Sequence, residues 1–402
     1  MQIPNALARK PLTCPYCYES FTAQQIAFRC SGVRSRAGSR CTARVDEVLE
    51  RHTGQRRMLN PVFLADGRRA NAVCPDCGGE TTTRVCPVCH SHLPAQFGQI
   101  GSLMIAMVGA KESGKTVYMT VLLHELMNRV GSRFSASVLA ADDETARRFE
   151  QDYENQLYKY QRMPTTTVSA ETTKNLVNPL VFKLTVPGRN PLGSVRQHTL
   201  LSFFDAAGED LVTREGIDLN GRYLRSADGI ILLMDPLQMP GARNQAGHGA
   251  WLPGSGPQYD PPASNLAKIT SVLTSWPGAH NRGVVSVPTA VVFPKIDAFW
   301  HRMERGSPLN AEPPQGPRVD VADSLDVHTQ TARLLKDWGG TQIDENLEGN
   351  FKRYRYFGVS ALGGYPNEGE RVSYSGIQPY RVADPFMWLL SELGVVGREG
   401  RG

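Results

Sequence analysis

Residues Ser102–Val108 read SLMIAMV and run straight into Gly109-Ala110-Lys111-Glu112-Ser113-Gly114-Lys115-Thr116. A run of apolar and small residues suits a strand buried on both faces. The octapeptide after it satisfies GxxxxGK[ST] in full. Val117–Val130 (VYMTVLLHELMNRV) then shows helical spacing of apolar residues, with a stop expected at Gly131. Strand, glycine-rich loop and helix thus follow in the order a phosphate cradle needs, with loop N–H groups and the helix N-terminus facing the anion. Gly109, Lys111, Glu112, Ser113 and Gly114 would line that cradle. Lys115 would neutralise phosphate charge, and the Thr116 hydroxyl would ligate Mg2+. The pattern predicts nucleotide binding.

Adenine and guanine are separated by what lies downstream. Leu180–Val186 (LVFKLTV) and Thr199–Asp205 (TLLSFFD) read as strands on either side of a turn over Pro187–Gly193. The second ends in Asp205-Ala206-Ala207-Gly208. That carboxylate can hold Mg2+ through water, and the Gly208 N–H can meet a γ-phosphate. Alone, DxxG is only a strand-ending turn; one helix and one strand after the phosphate loop, it carries more weight. Gly229–Asp235 (GIILLMD) is another buried strand. Thr289–Phe293 (TAVVF) leads into Pro294-Lys295-Ile296-Asp297, and Arg355–Val359 leads into Ser360-Ala361-Leu362. Pro385–Leu393 (PFMWLLSEL) closes the chain as a helix with Phe386, Leu389, Leu390 and Leu393 at core spacing.

Lys295-Ile296-Asp297 resembles the [NT]KxD element of GTPases. There the Asp carboxylate accepts from guanine N1–H and the N2 amine, a donor pair adenine lacks, and the Lys stem lies along the base. Pro294 departs from the family pattern by removing the Asn or Thr that braces the loop. Ser360-Ala361 resembles the loop whose backbone N–H meets guanine O6. Together the five elements resemble a translation-factor-class (TRAFAC) P-loop GTPase over about residues 100–395. The cysteine-rich start, a Leu-Pro before the first strand, and Asp-Ala-Ala-Gly-Glu narrow the resemblance to the bacterial double-GTPase family. That resemblance implies GTP and GDP as ligands and protein partners in conflict or signalling systems.

Asp142–Gln161 (DDETARRFEQDYENQLYKYQ) reads as a polar surface helix with Phe149, Tyr153, Leu157 and Tyr160 on one stripe. Pro164-Thr165-Thr166-Thr167 falls where a GTPase keeps its first switch, and Thr166 is taken as the residue sensing Mg2+ and γ-phosphate. Pro236–Pro262 and Arg305–Arg318 carry many Pro and Gly residues and read as loops. Trp251 and Tyr259 could anchor a partner, but an unordered loop is preferred. After DxxG, many GTPases place Gln or His to orient water. This chain has Glu209, which accepts but cannot donate and brings negative charge toward a phosphate, so unaided hydrolysis should be slow.

All eight cysteines lie in the first 89 positions of this 402-residue chain. Cys74-Pro75-Asp76-Cys77 and Cys86-Pro87-Val88-Cys89 form a CxxC pair of pairs. Cys14-Pro15-Tyr16-Cys17 is followed by single Cys30 and Cys41. CxxC turns aim two thiolates at one tetrahedral metal, so sequence order predicts two zinc sites: Cys14, Cys17, Cys30, Cys41 and Cys74, Cys77, Cys86, Cys89. His90 and His92 are read as surface residues. Residues 1–97 hold 13 Lys and Arg against 7 Asp and Glu. Two zinc sites of four thiolates carry about −2 each, which nearly cancels that excess. A docking module is therefore preferred to a nucleic-acid reader.

At 41% hydrophobic residues the chain can build a sizeable core. The start MQIPNALARKPL has no apolar stretch behind its charges, and no apolar run approaches the length of a membrane span. A cytoplasmic protein is expected. The resulting expectation is an α/β chain: a three-layer P-loop GTPase fold with a mostly parallel sheet (98–397, with insertions at about 140–170, 236–263 and 305–320). A double zinc-ribbon-like module (1–97) precedes it. It would bind GTP with Mg2+ and hydrolyse slowly. A non-hydrolysing nucleotide-dependent scaffold and a zinc-ribbon nucleic-acid NTPase are the rivals.

Overall fold

The structure is a computed structural model; it describes residues 11–33, 40–163, 179–187, 196–205, 221–250, 252, 261–275, 283–366, 371–373 and 375–400. Its frame is a seven-stranded sheet. In spatial order the strands are Ser137–Ala140, Leu180–Pro187, Arg196–Asp205, Gly101–Gly109, Gly229–Leu233, Thr289–Phe293 and Tyr354–Gly358. Leu180–Pro187 runs antiparallel to both its neighbours, and every other pairing is parallel. Apolar continuity fixes each strand's place. Gly229–Leu233 and Thr289–Phe293 are buried at every position and sit inside the sheet, while the less apolar Tyr354–Gly358 and Ser137–Ala140 take its edges.

Helices cover both faces. Lys115–Glu125 and Asp384–Glu392 lie close together on one of them, where the Tyr118 hydroxyl donates to Val382 O at 2.9 Å. A Cβ on Gly229 would stand 3.4 Å from Leu389 of the second helix. Leu232 points from the opposite pleat and lines a cleft with Asn265 and Leu266 of the helix Pro262–Thr274. Thr270 of that helix donates to Asn346 Oδ1 of Thr341–Asn350 at 2.9 Å, so these two helices form the other layer. The helix Val321–Asp337 closes the edge at Tyr354–Gly358. Its His328 Nδ1 accepts the Tyr356 N–H at 3.1 Å, a donor that an open edge would offer to another chain. The fold is the expected three-layer α/β arrangement around a mostly parallel sheet. No helix among the described residues is long and apolar enough to cross a membrane.

Three local expectations change. Gly131 does not end the first helix. Lys115–Glu125 continues as a wider π turn over Leu126–Val130, and Gly131 itself is helical. The reversal comes at Ser135, at φ 50°, with Ala136 N–H returning to Gly131 O. The stretch after Asp142 is α-helical only to Arg148, then π-helical over Phe149–Lys159. More residues per turn keep Phe149 and Leu157 inward but rotate Tyr160 off the stripe, leaving it 53% exposed. The third change is in the expected loop after Asp235. Pro236–Gln238 and Pro240–Arg243 are helical turns, and they bury Leu237, Met239 and Ala242 in the main core. Trp251 and Tyr259 lie outside the described residues.

The amino-terminal module packs at the end of the sheet away from the phosphate loop. Leu12, Phe21, Phe28 and Phe97 share a buried cluster with Val181 and Leu200, and Leu200 pairs with Ser102 at the start of the central strand. Tyr18, the residue after the Cys14–Cys17 turn, lays its ring 5.7 Å from that of Tyr223, in the helix that includes residues 221–226. The Tyr223 hydroxyl accepts from Met107 N–H at 2.8 Å and donates to Ile105 O at 3.1 Å, so this contact reaches the central strand. Truncating Tyr18→Ala should cost about 3 kcal/mol by leaving a cavity against Tyr223. Urea denaturation checks this, and an unchanged midpoint would mean the ring contributes no packing. The neighbouring Glu19–Arg222 ion pair is solvent-exposed on both sides and should contribute little.

Candidate nucleotide site and cysteine clusters

The loop Gly109–Thr116 leaves the carboxyl end of the central strand and enters the helix that starts at Lys115. A Cβ on Gly109 would meet Leu233 O at 2.5 Å, so a side chain there would push the loop off the neighbouring strand. Glu112 and Gly114 take left-handed φ values of 60° and 83°, which fold the loop back on itself. Lys115 is buried, and its Nζ donates to Gly109 O at 3.0 Å and Ala110 O at 2.9 Å. The ammonium is thereby held inside the loop's curve. Ser113 Oγ is also buried and has no hydrogen-bond partner among the described residues, leaving a polar group in the cradle for a ligand to satisfy.

Beyond the adjacent strand Gly229–Leu233, the parallel strands Thr289–Phe293 and Tyr354–Gly358 end along the same edge of the sheet as this loop. After Phe293, Lys295 adopts left-handed φ 60° and ψ 32° and caps the turn Ile296–Arg302, in which Asp297 sits half-buried. Ile296 N–H donates to Val359 O at 3.0 Å, which ties this turn to the end of Tyr354–Gly358 and brings Ser360 to Asp297. The Ser360 hydroxyl accepts from Gly363 N–H at 2.9 Å, which leaves its own proton available to the Asp297 carboxylate nearby. Burial pushes the Asp297 carboxyl above its ordinary value, and the Ser360 hydrogen bond pulls the other way. Ala361 follows directly.

Sequence reasoning passed over two further residues. Asp235 is fully buried, accepts Leu237 N–H at 2.9 Å and pairs with Lys295 Nζ. Gln238 donates its amide to Lys111 O at 2.7 Å. The available signal was an acidic residue closing an otherwise apolar strand, GIILLMD. Asp205 ends its strand opposite Met107 of the central strand. The Asp205 side chain, Thr166, Gly208 and Glu209 lie outside the described residues.

The cysteines gather differently from the expected grouping. Cys14, Cys17, Cys86 and Cys89 form one cluster, and Cys30, Cys41, Cys74 and Cys77 the other; within each, the ligand atoms all lie within 4.8 Å of one another. The reason lies in the small sheet between them. Ala27–Arg29 pairs with Arg84–Val85, and Arg29 N–H bonds Thr83 O at 2.9 Å. This ladder brings Cys86 to the first CxxC turn and carries Cys30 to the far end, beside Cys74 and Cys77. The segment joining Cys77 to Cys86 is largely extended, at about 3.3 Å per residue, which holds those two CxxC pairs apart.

All eight thiols are free. Sulfur separations are 3.7 Å for Cys17–Cys86, 3.8 Å for Cys14–Cys89, 3.5 Å for Cys30–Cys77 and 3.9 Å for Cys41–Cys74. Four thiolates about 2.3 Å from a tetrahedral Zn2+ stand roughly 3.8 Å apart, whereas a disulfide needs about 2.05 Å. The three CxxC turns share one backbone. Tyr18, Gly78 and His90 follow them in left-handed geometry, and their N–H groups return to the carbonyls of Cys14, Cys74 and Cys86. Backbone N–H groups of Tyr16, Gly32 and Val88 point at sulfur, at 3.4, 3.3 and 3.3 Å. Such donors suit thiolate charge, so both donor sets are compatible with zinc. His90 bonds Asp46 at 2.8 Å and His92 is exposed; neither belongs to a cluster.

The Double-GTPase 2 family profile matches residues 103–303, half of the chain. The chain belongs to the Double-GTPase 2 family. That match runs from the central strand through the GxxxxGK[ST] loop and past Asp297, while Ser360 and Ala361 of this Double-GTPase 2 chain lie beyond it. A relative from Mycolicibacterium smegmatis, named "Putative ESX-1 scaffolding and assembly protein SaeC", is 27% identical over 408 residues, covering 95% of this chain and 99% of its own. Among solved structures, the Arl6 BBS3 small GTPase of Trypanosoma brucei aligns at 14% identity and a TM-score of 0.28, over 73% of this chain and 98% of its own. The Ski7 GTPase-like domain of S. cerevisiae aligns at 13% identity and a TM-score of 0.30, over 72% and 50%.

Proposed function

We propose that this protein binds GTP with Mg2+ as a slowly hydrolysing switch that acts on partner proteins, its amino-terminal module held by two zinc ions. The observation that carries the base choice is the Asp297 carboxylate in the turn capped by Lys295, which the Ile296–Val359 bond ties to the strand end before Ser360. A carboxylate there suits the N1–H and N2 donors of guanine. Facing adenine, it would stay unpaired at a cost of about 1–3 kcal/mol. Gly109–Thr116 would take the phosphates, with Lys115 as their charge partner. Mg2+ would be held by Thr116, Asp205 and Thr166, with Gly208 at the γ-phosphate and Glu209 the reason for slow turnover. Zn2+ would supply only structure, since four sulfurs leave no open coordination position. Free thiols throughout fit a cytoplasmic setting.

Titration of the metal-replete protein with labelled GTP and ATP tests the reading. GTP is expected to bind at least about tenfold tighter, the equivalent of one unpaired buried group. Asp297→Asn should shift preference toward XTP, whose O2 accepts where guanine N2 donates. Equal affinity for GTP and ATP, or no gain with XTP, reduces the reading to a P-loop nucleotide binder without base choice. A non-hydrolysing scaffold is the second reading, supported by Glu209 and by the scaffolding name of the 27% identical relative. Phosphate release measured under single-turnover conditions separates the two.

A further inference from the structure

Pro294 occupies the position where the [NT]KxD pattern keeps a side chain that braces the loop. Proline offers neither a polar side chain nor an N–H, yet Lys295 behind it holds a left-handed backbone that a non-glycine residue adopts only under constraint. The Lys295 side chain is held from the neighbouring strand. Asp235 has no solvent exposure, and a carboxylate so placed needs partners for both oxygens. One oxygen accepts Leu237 N–H and the other meets Lys295 Nζ. Three residues on, Gln238 Nε2 donates to Lys111 O in the phosphate loop. Among the described residues the buried Gln238 Oε1 has no partner, so the amide is held at this site by its donor side.

We infer that the turn Asp235-Pro236-Leu237-Gln238 is a brace that substitutes for the missing Asn or Thr and locks the base-facing Lys295 to the phosphate loop. Asp235 is a positioning residue in this arrangement: it acts through Lys295 and touches no nucleotide atom. With its Nζ held by Asp235, the Lys295 stem is restrained before a base arrives. The Gln238 bond makes the phosphate loop and the base loop move as one body. This inference rests on the nucleotide reading above and adds how the base site is preorganised.

Asp235→Asn tests it, because Asn keeps the oxygen that caps Leu237 N–H and removes the charge that holds Lys295. GTP affinity should fall about tenfold, the size of a lost charge-assisted hydrogen bond, while affinity for inorganic tripolyphosphate stays at the parental level. In a Lys295→Met background the same change should add almost nothing, since its route of action is already gone. Gln238→Leu reads the other arm without touching the buried charge, and should weaken GTP and tripolyphosphate together. Parental GTP affinity in Asp235→Asn overturns the brace. So does an equal loss for GTP and tripolyphosphate that remains additive with Lys295→Met. Should Asp235→Asn lose its fold by circular dichroism, parental GTP affinity in Gln238→Leu overturns the brace equally. A parent that binds tripolyphosphate but prefers no guanine nucleotide defeats the base reading itself, which is a different result.

Discussion

In a Cys86→Ser protein, Cys14, Cys17 and Cys89 are expected to become open to alkylation in native buffer, while Cys30, Cys41, Cys74 and Cys77 stay protected. The first three share a cluster with Cys86 and the other four do not. Zinc in a structural site contributes on the order of 10 kcal/mol to folding, far more than these two- and three-residue strands supply, so loss of one ligand should open the cluster. Elemental analysis should read about one zinc per chain in place of two. Mass spectrometry of the alkylated peptides reads the pairing directly. Labelling of Cys74 and Cys77 in place of Cys14 and Cys17 would restore the grouping by sequence order and contradict the small sheet that interleaves them.

Lys115→Ala should weaken nucleotide binding at least about a hundredfold, because a buried ammonium facing polyphosphate supplies several charge-assisted contacts at once. In the present geometry Lys115 Nζ rests on the carbonyls of Gly109 and Ala110, close to where the loop curves around a ligand. The substitution leaves both cysteine clusters untouched, so zinc content should stay at the parental value. Isothermal titration with GTP and Mg2+, alongside elemental analysis, gives both readouts from one preparation. Parental GTP affinity in the variant would remove Gly109–Thr116 from the phosphate site.

Much of this molecule is legible from local pattern because its information is local. A buried parallel strand must be apolar along its whole length, and SLMIAMV, GIILLM and TAVVF announce themselves on that ground. A CxxC turn positions its two sulfurs without help from the rest of the chain. The π turns were not legible, since their wider pitch depends on packing against other elements; the exposed Tyr160 is its visible consequence. The role of Asp235 was equally hidden. As a letter it closes a strand, and only the neighbouring strand end, 60 residues further along, gives its second carboxylate oxygen a partner.

The amino-acid sequence by itself determined the class of fold, the GxxxxGK[ST] loop with its Lys115, the candidate base residue Asp297, and the gathering of eight cysteines in one short module. Those features are carried by residues adjacent in the chain or by periodicity along one element. Tertiary structure alone decided which cysteines share a cluster, that the turn holding Asp297 is tied to the strand end before Ser360, and that Tyr18 after the first CxxC turn packs on Tyr223. Each of these joins residues far apart in sequence. Strand pairing selects their partners, because a backbone ladder fixes which side chains stand opposite one another, and spacing along the chain carries no record of that choice.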